Sequence, residues 1–150
     1  MHMKNSYALI TGASSGIGLE IAKNLAKRGY NLILTARRTE MLDSLAMEIT
    51  SENDIHVDII SKDLSKYETP KEIFEFCESK NYQIDLLVNN AGYGIKTSFH
   101  ETSIEVEEDF IRVLGTSVIM LTKLFIPKML SNGGGKIMII SSVASFAAPS

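Results

Sequence analysis

The run Thr11-Gly12-Ala13-Ser14-Ser15-Gly16-Ile17-Gly18 places glycines and hydroxyls where a short apolar run, Tyr7 to Ile10, gives way to a helix-period stretch. Backbone turning there can pass close to a pyrophosphate, and the unpaired N–H groups and positive dipole of the following helix favour an anion. The glycines divide the work: Gly12 permits the tight turn, Gly16 the close approach of the ligand, and Gly18 the packing of helix on sheet. The turn is therefore read as a phosphate cradle. Other residues able to do chemistry also follow apolar runs: Arg37-Arg38, Asp63-Leu64, Asn89-Asn90-Ala91-Gly92 and Ser141-Ser142. A metal site is not expected, because Cys77 is the one cysteine and His56 and His100 lack partners at ligand spacing.

The elements that must position these residues follow from hydrophobic periodicity. Strands are expected at Tyr7 to Ile10, Leu32 to Ala36, Ile55 to Ile60, Ile84 to Val88 and Lys136 to Ser141. Between them lie helices. The first carries Ile17, Ile21, Ala22, Leu25 and Ala26 and stops at Gly29; the second starts from a Thr39 cap and carries Met41, Leu42, Leu45, Ala46 and Ile49. A third opens at Pro70 with Ile73, Phe74 and Cys77, and a long fourth runs from a Ser103 cap to about Leu130, with Pro127 bending or fraying its last turn. Its apolar positions are Phe110, Ile111, Leu114, Val118, Leu121 and Phe125. The alternation of strand and helix gives an α/β chain with a doubly wound, mostly parallel sheet, whose ligands bind beyond the carboxyl ends of the strands.

The chain of 150 residues, 45% of them hydrophobic, is read as one dinucleotide-binding domain spanning 1–150, or part of a larger one. A net charge of −3 and the absence of a Lys/Arg cluster beyond Arg37-Arg38 exclude an electrostatic footprint for nucleic acid or an anionic membrane. No apolar run is read as long enough to span a bilayer, and the start Met1-His2-Met3-Lys4 has no secretory apolar region, so a cytoplasmic protein is expected.

In order and spacing, Thr11-Gly12 to Gly18, Asp63-Leu64, Asn89-Asn90-Ala91-Gly92 and Ser141-Ser142 resemble the short-chain dehydrogenase/reductase family, over Lys4 to Ser150. The resemblance implies a Rossmann fold cut after about its fifth strand, and hydride transfer between a nicotinamide and a small-molecule carbonyl or alcohol. It assigns Asp63-Leu64 to the adenine edge and leaves room for the cofactor's ribose at Ala91 and Gly92, with the asparagine amides tying strand ends together. It also implies a homo-oligomer through the long helix starting near Ser103.

Cofactor choice rests on the end of the second strand, Thr35-Ala36-Arg37-Arg38. A site selective for NAD carries a carboxylate there for the ribose 2′-hydroxyl. None is present, and a guanidinium can grip a 2′-phosphate, so NADP(H) is expected, with Arg37 foremost and Arg38 and Ser14 as helpers. Ser15 departs from the pattern, since some NADP-dependent relatives carry a second basic residue there.

The resemblance makes Ser142 the catalytic serine that hydrogen-bonds the substrate oxygen, ahead of Ser141 and Ser145. The family's tyrosine and lysine would fall beyond Ser150, and neither Tyr93 nor Tyr82 stands at their place, so little or no turnover is expected from these residues alone. Leu114 occupies the position of an asparagine that holds a proton-relay water in many relatives. Tyr93 to His100 is expected to line the substrate side. The alternative to an enzyme is a non-catalytic dinucleotide-binding or interaction module.

Overall fold

The computed structural model describes residues 6–142. Five strands, β1 (Ser6–Thr11), β2 (Asn31–Ala36), β3 (Val57–Ser61), β4 (Gln83–Asn89) and β5 (Lys136–Ile139), form one sheet in the order β3-β2-β1-β4-β5. Every neighbouring pair is parallel. Helices α1 (Gly16–Lys27), α2 (Thr39–Glu52), α3 (Thr69–Ser79), α4 (Ile104–Ile111) and α5 (Ser117–Ser131) make the crossovers. The strand order reverses between β1 and β4, which opens a crevice at their carboxyl ends.

The central strands are apolar without interruption because both of their faces are covered. Leu9, Ile33 and Leu87 point to the side of α3 and α5, joining Ile73, Cys77, Leu121 and Phe125. Their neighbours Ala8, Ile10, Leu32, Leu34 and Val88 point the other way, onto Ala22, Leu25, Leu42, Leu45 and Ile49 of α1 and α2. Alternate residues thus feed two cores, as the period of two in a strand requires. Burial pushes the Cys77 thiol up to about 12, so it stays protonated and serves as apolar filler.

Several boundaries differ from the sequence reading. Arg38, not Thr39, is the residue before α2, and the Thr39 hydroxyl donates to Ser61 Oγ at 2.8 Å instead of capping the helix. Strand β3 starts later, at Val57, and β5 ends at Ile139, although Ile140 N–H still donates to Asn89 O at 2.9 Å. Ile17 and Met41, expected on core faces, are exposed. Ile17 lines the crevice and, with Ile21, Met41 of α2 and Met138 of β5, a second groove along α1.

The long helix departs most. Ser103 caps it as expected, its hydroxyl accepting from Val106 N–H at 3.4 Å, and Pro127 lies inside α5, which continues to Ser131. Between α4 and α5, however, Arg112–Thr116 forms a π-helical turn. The wider turn advances the helix face. The buried positions become Val113, Ser117, Leu121, Phe125 and Met129, while Ile111 and Leu114, expected in the core, are 62% and 42% exposed. The reading that no apolar run is long enough for a bilayer is also corrected. The continuous stretch Ile104–Ser131, with a mean hydropathy of 1.6 in its best window, is long and apolar enough by length and composition. One side packs on the sheet through Leu121 and Phe125, and the other presents Ile104, Ile111, Ile119, Ile126 and Leu130 outward.

Candidate functional site

The glycine turn occupies the β1–α1 junction at the crevice. Gly12 and Gly16 have φ of +67° and +58°, a region in which side chains are strained. A Cβ on Gly12 would stand 2.7 Å from Ala91 Cα, and one on Gly18 would stand 2.4 Å from both Gly12 O and Asn90 Nδ2. A Cβ on Gly16 would meet nothing within 4 Å. Gly12 and Gly18 therefore let protein pack on protein, whereas Gly16 keeps backbone open towards the crevice.

Thr11 joins the turn to the end of β4. Its Oγ1 accepts the N–H groups of Asn90 at 2.9 Å and Ala91 at 3.0 Å, and donates to Val88 O at 3.3 Å. Asn90 Nδ2 returns the contact, donating to Thr11 O at 3.0 Å and Gly12 O at 3.2 Å. The expectation that the asparagine amides tie strand ends together thus has its geometry here. Asn89 faces the other way, donating from Nδ2 to Thr122 Oγ1 of α5 at 3.3 Å.

These loops bound an open cleft of about 1030 Å³. Gly12, Ser14, Ser15, Gly16, Ile17, Arg37, Arg38, Asp63, Leu64, Asn90, Ala91, Gly92 and Ser142 all line it, while Thr11 and Gly18 lie outside its lining and brace it. The sequence reading missed Thr35, Lys62, Ser65, Phe110 and Val113, which also line it; only a register for the strand ends and the π turn could have pointed to them. Asp63 does double duty: its Oδ1 accepts Ser65 N–H at 3.0 Å and its carbonyl accepts the Thr69 hydroxyl at 2.7 Å, which fixes the loop after β3.

The two arginines diverge. Arg38 Nη2 donates to Ser14 Oγ and Ser15 Oγ, each at 3.2 Å, so a guanidinium lies against the glycine turn beside Ser15. Arg37, expected to be foremost, extends over the Tyr93 ring with its Cζ 6.0 Å from the centroid. Neither arginine forms an ion pair with Asp or Glu among the described residues.

Ser142 and Ser141 line the same cleft, beyond the end of β5, and Ser145 lies outside the described residues. Leu114 enters the cleft from the π turn, where its Cδ2 is 2.8 Å from the position of a Cβ on Gly92. Of the expected substrate-side segment, Tyr93 and Gly94 line the cleft, and Phe99 is exposed. The Tyr93 hydroxyl is raised from its ordinary value by desolvation first and by the carboxylate of Asp109 next, with Arg37 opposing the shift. Tyr82 lies away from the cleft, donating to Asp58 Oδ2 at 2.7 Å.

A nicotinamide dinucleotide suits this donor set. The turn offers open backbone at Gly16 and the start of α1, the cleft is of the volume that small-molecule sites occupy, and Arg37, Arg38 and Lys62 line it. No group of three or more His, Cys, Asp or Glu side chains arranged for a metal occurs among the described residues.

Comparison with known proteins agrees with this geometry. The family model described as short chain dehydrogenase matches residues 6–149. The chain is 36% identical over 147 residues to a very-long-chain 3-oxoacyl-CoA reductase of Coccidioides immitis, covering 93% of this chain and 41% of that protein. Among solved structures, a bulky-bulky ketone specific alcohol dehydrogenase from Comamonas testosteroni superposes with a TM-score of 0.90 at 31% identity, over 99% of this chain and 58% of that one. A short-chain dehydrogenase from Sphingobium yanoikuyae in complex with NADPH gives 0.88 at 33% identity, over 95% of this chain and 56% of that one. The chain thus spans about two-fifths to three-fifths of these proteins' lengths. With the parallel sheet, the glycine turn and the family match over 6–149 in agreement, the chain belongs to the short chain dehydrogenase family of oxidoreductases.

Proposed function

We propose that this chain forms the cofactor-binding part of an NADP(H)-dependent oxidoreductase acting on a small-molecule carbonyl or alcohol. The observation that carries the reading is the placement of Arg38 against Ser14 and Ser15 at the glycine turn. A guanidinium and two hydroxyls there can share a 2′-phosphate, and the end of β2 has no carboxylate to repel it. Arg38 thus takes over the leading role that the sequence gives to Arg37, and supplies the positive charge that Ser15 itself lacks. The NADPH bound to the Sphingobium relative supports the same choice. The three named relatives are oxidoreductases, which lends nothing to a non-catalytic module.

The cofactor, when bound, supplies or accepts the hydride. The chain's own residues do the rest. The backbone at Gly16 and the start of α1 neutralises the pyrophosphate, Ala91 and Gly92 leave space for a ribose, and Asp63 with Leu64 edges the adenine. Ser142 holds the substrate oxygen by a hydrogen bond as charge develops on it. Tyr93 follows the loop after β4 and does not stand at the place of the family's tyrosine, downstream of Ser142. Leu114 offers no side-chain hydrogen bond to a relay water, so any proton path runs past it by other groups.

Replacing Arg38 by alanine is expected to weaken NADPH binding about 10- to 100-fold while leaving NADH within about 2-fold, as loss of hydrogen bonds to a charged group requires. Fluorescence titration of both nucleotides tests this. An equal loss for the two would remove the assignment.

We also propose association of two copies through the long helix. The outward residues Ile104, Ile111, Ile119, Ile126 and Leu130 recur at helical spacing along α4 and α5, an apolar stripe that a soluble surface rarely leaves uncovered. Sedimentation of the chain should show a dimer that Ile119→Glu with Leu130→Glu converts to a monomer. A wild-type chain that sediments as a monomer at micromolar concentration contradicts the interface.

A further inference from the structure

Arg37 is held at both ends by groups that the hydride reaction does not use. Its carbonyl oxygen accepts the Ser61 hydroxyl at 3.1 Å, and Ser61 Oγ in turn accepts the Thr39 hydroxyl at 2.8 Å, which locks the turn after β2 to the end of β3. Its guanidinium lies over the Tyr93 ring, 6.0 Å from the centroid. Tyr93 is itself set edge-on against Phe110 of α4, with the ring centroids 5.4 Å apart and an interplanar angle of 76°. The Arg37 side chain thereby links the end of β2, through the Tyr93 ring, to Phe110 of α4 in the lining of the cleft. Arg38 instead lies on Ser14 and Ser15 of the glycine turn.

We propose that Tyr93 is a positioning residue for 2′-phosphate recognition: braced by Phe110, it holds Arg37 extended over the cleft so that two arginines meet the phosphate. The proposal rests on the NADP(H) reading above. An unbraced arginine would lose rotamer freedom on binding, and the cation–π contact removes part of that cost beforehand. The contact needs an aromatic face, not a hydroxyl. Phenylalanine can therefore replace Tyr93, and leucine, apolar but without a ring, cannot.

The test uses adenosine 2′,5′-bisphosphate as the probe and 5′-AMP as its control, with binding read by calorimetry and folding by circular dichroism. Tyr93→Leu is expected to weaken the bisphosphate about 2- to 5-fold, the loss a partly exposed cation–π contact converts to, with 5′-AMP unchanged and Tyr93→Phe like wild type. In an Arg37→Leu background Tyr93→Leu should add no further loss, which a merely structural defect would not reproduce. The proposal is overturned if Tyr93→Leu binds the bisphosphate as wild type does, if Tyr93→Phe is as weak as Tyr93→Leu, or if 5′-AMP suffers the same loss. Arg38→Ala separates the two levels: selective loss of the bisphosphate in Arg38→Ala with none in Tyr93→Leu sinks only the role of Tyr93. No selective loss in Arg38→Ala, and no preference of wild type for the bisphosphate over 5′-AMP, sinks the reading beneath it.

Discussion

Gly18→Ala is expected to abolish measurable dinucleotide binding and to lower the thermal midpoint by several degrees. The added Cβ would stand 2.4 Å from Gly12 O and equally close to Asn90 Nδ2, far inside contact distance. One neighbour is backbone, so relief must come from moving the turn or lifting α1 off the sheet. Overpacking of this kind costs about 3 kcal/mol, against about 1 kcal/mol gained from alanine's better helix propensity. The net loss of about 2 kcal/mol corresponds to about 4–8 °C in a domain of this size. Binding suffers more than stability, because displaced N–H groups no longer converge on the pyrophosphate. Gly16→Ala provides the contrast. Its Cβ meets nothing within 4 Å, but φ is +58°, so its loss of stability is that of a strained backbone without overpacking. Calorimetric melting and NADPH titration of the two variants check both statements, and a Gly18→Ala chain that binds as wild type does would refute the packing role.

Thr11→Val is the second large effect. The substitution keeps the shape of the side chain but removes the oxygen that accepts from Asn90 N–H at 2.9 Å and Ala91 N–H at 3.0 Å. Two donors then lose their partner at the floor of the cleft, a cost of about 2–4 kcal/mol when each lost acceptor costs about 1–2 kcal/mol. The Asn90–Ala91–Gly92 loop, released on one side, should bind nucleotide about 10-fold more weakly. Thr11→Ser keeps the hydroxyl and is expected to keep most of both properties. Denaturant unfolding and the same titration distinguish the pair. A serine variant as unstable as the valine one would show that the methyl group, not the hydrogen bonds, matters.

Much of this arrangement is legible in the residues. Uninterrupted apolar runs such as Leu32-Ile33-Leu34 announce strands covered on both faces, and in the structure all three are fully buried. The glycine spacing announces the turn because only glycine tolerates the φ of Gly12 and the approach at Gly18. The π turn at Arg112–Thr116 was not legible. A run of Val, Leu, Gly and Thr obeys an ordinary helical period equally well, so nothing in its pattern marks the wider turn. Val113 is buried there, while Leu114 lies at the cleft and not in the core. The contacts that separate the two arginines were hidden for a different reason. Adjacent residues at a strand end point in different directions, and which one meets Ser14 depends on the turn that Ser61 and Thr39 fix.

That the glycine turn and Arg38 make a site for a dinucleotide carrying a 2′-phosphate is tested most directly by titrating the folded chain with NADPH and NADH side by side. Saturable NADPH binding at least ten-fold tighter than NADH is the predicted result. Equal affinity for the two, or no binding of either to a chain whose circular dichroism shows the α/β fold, would contradict it.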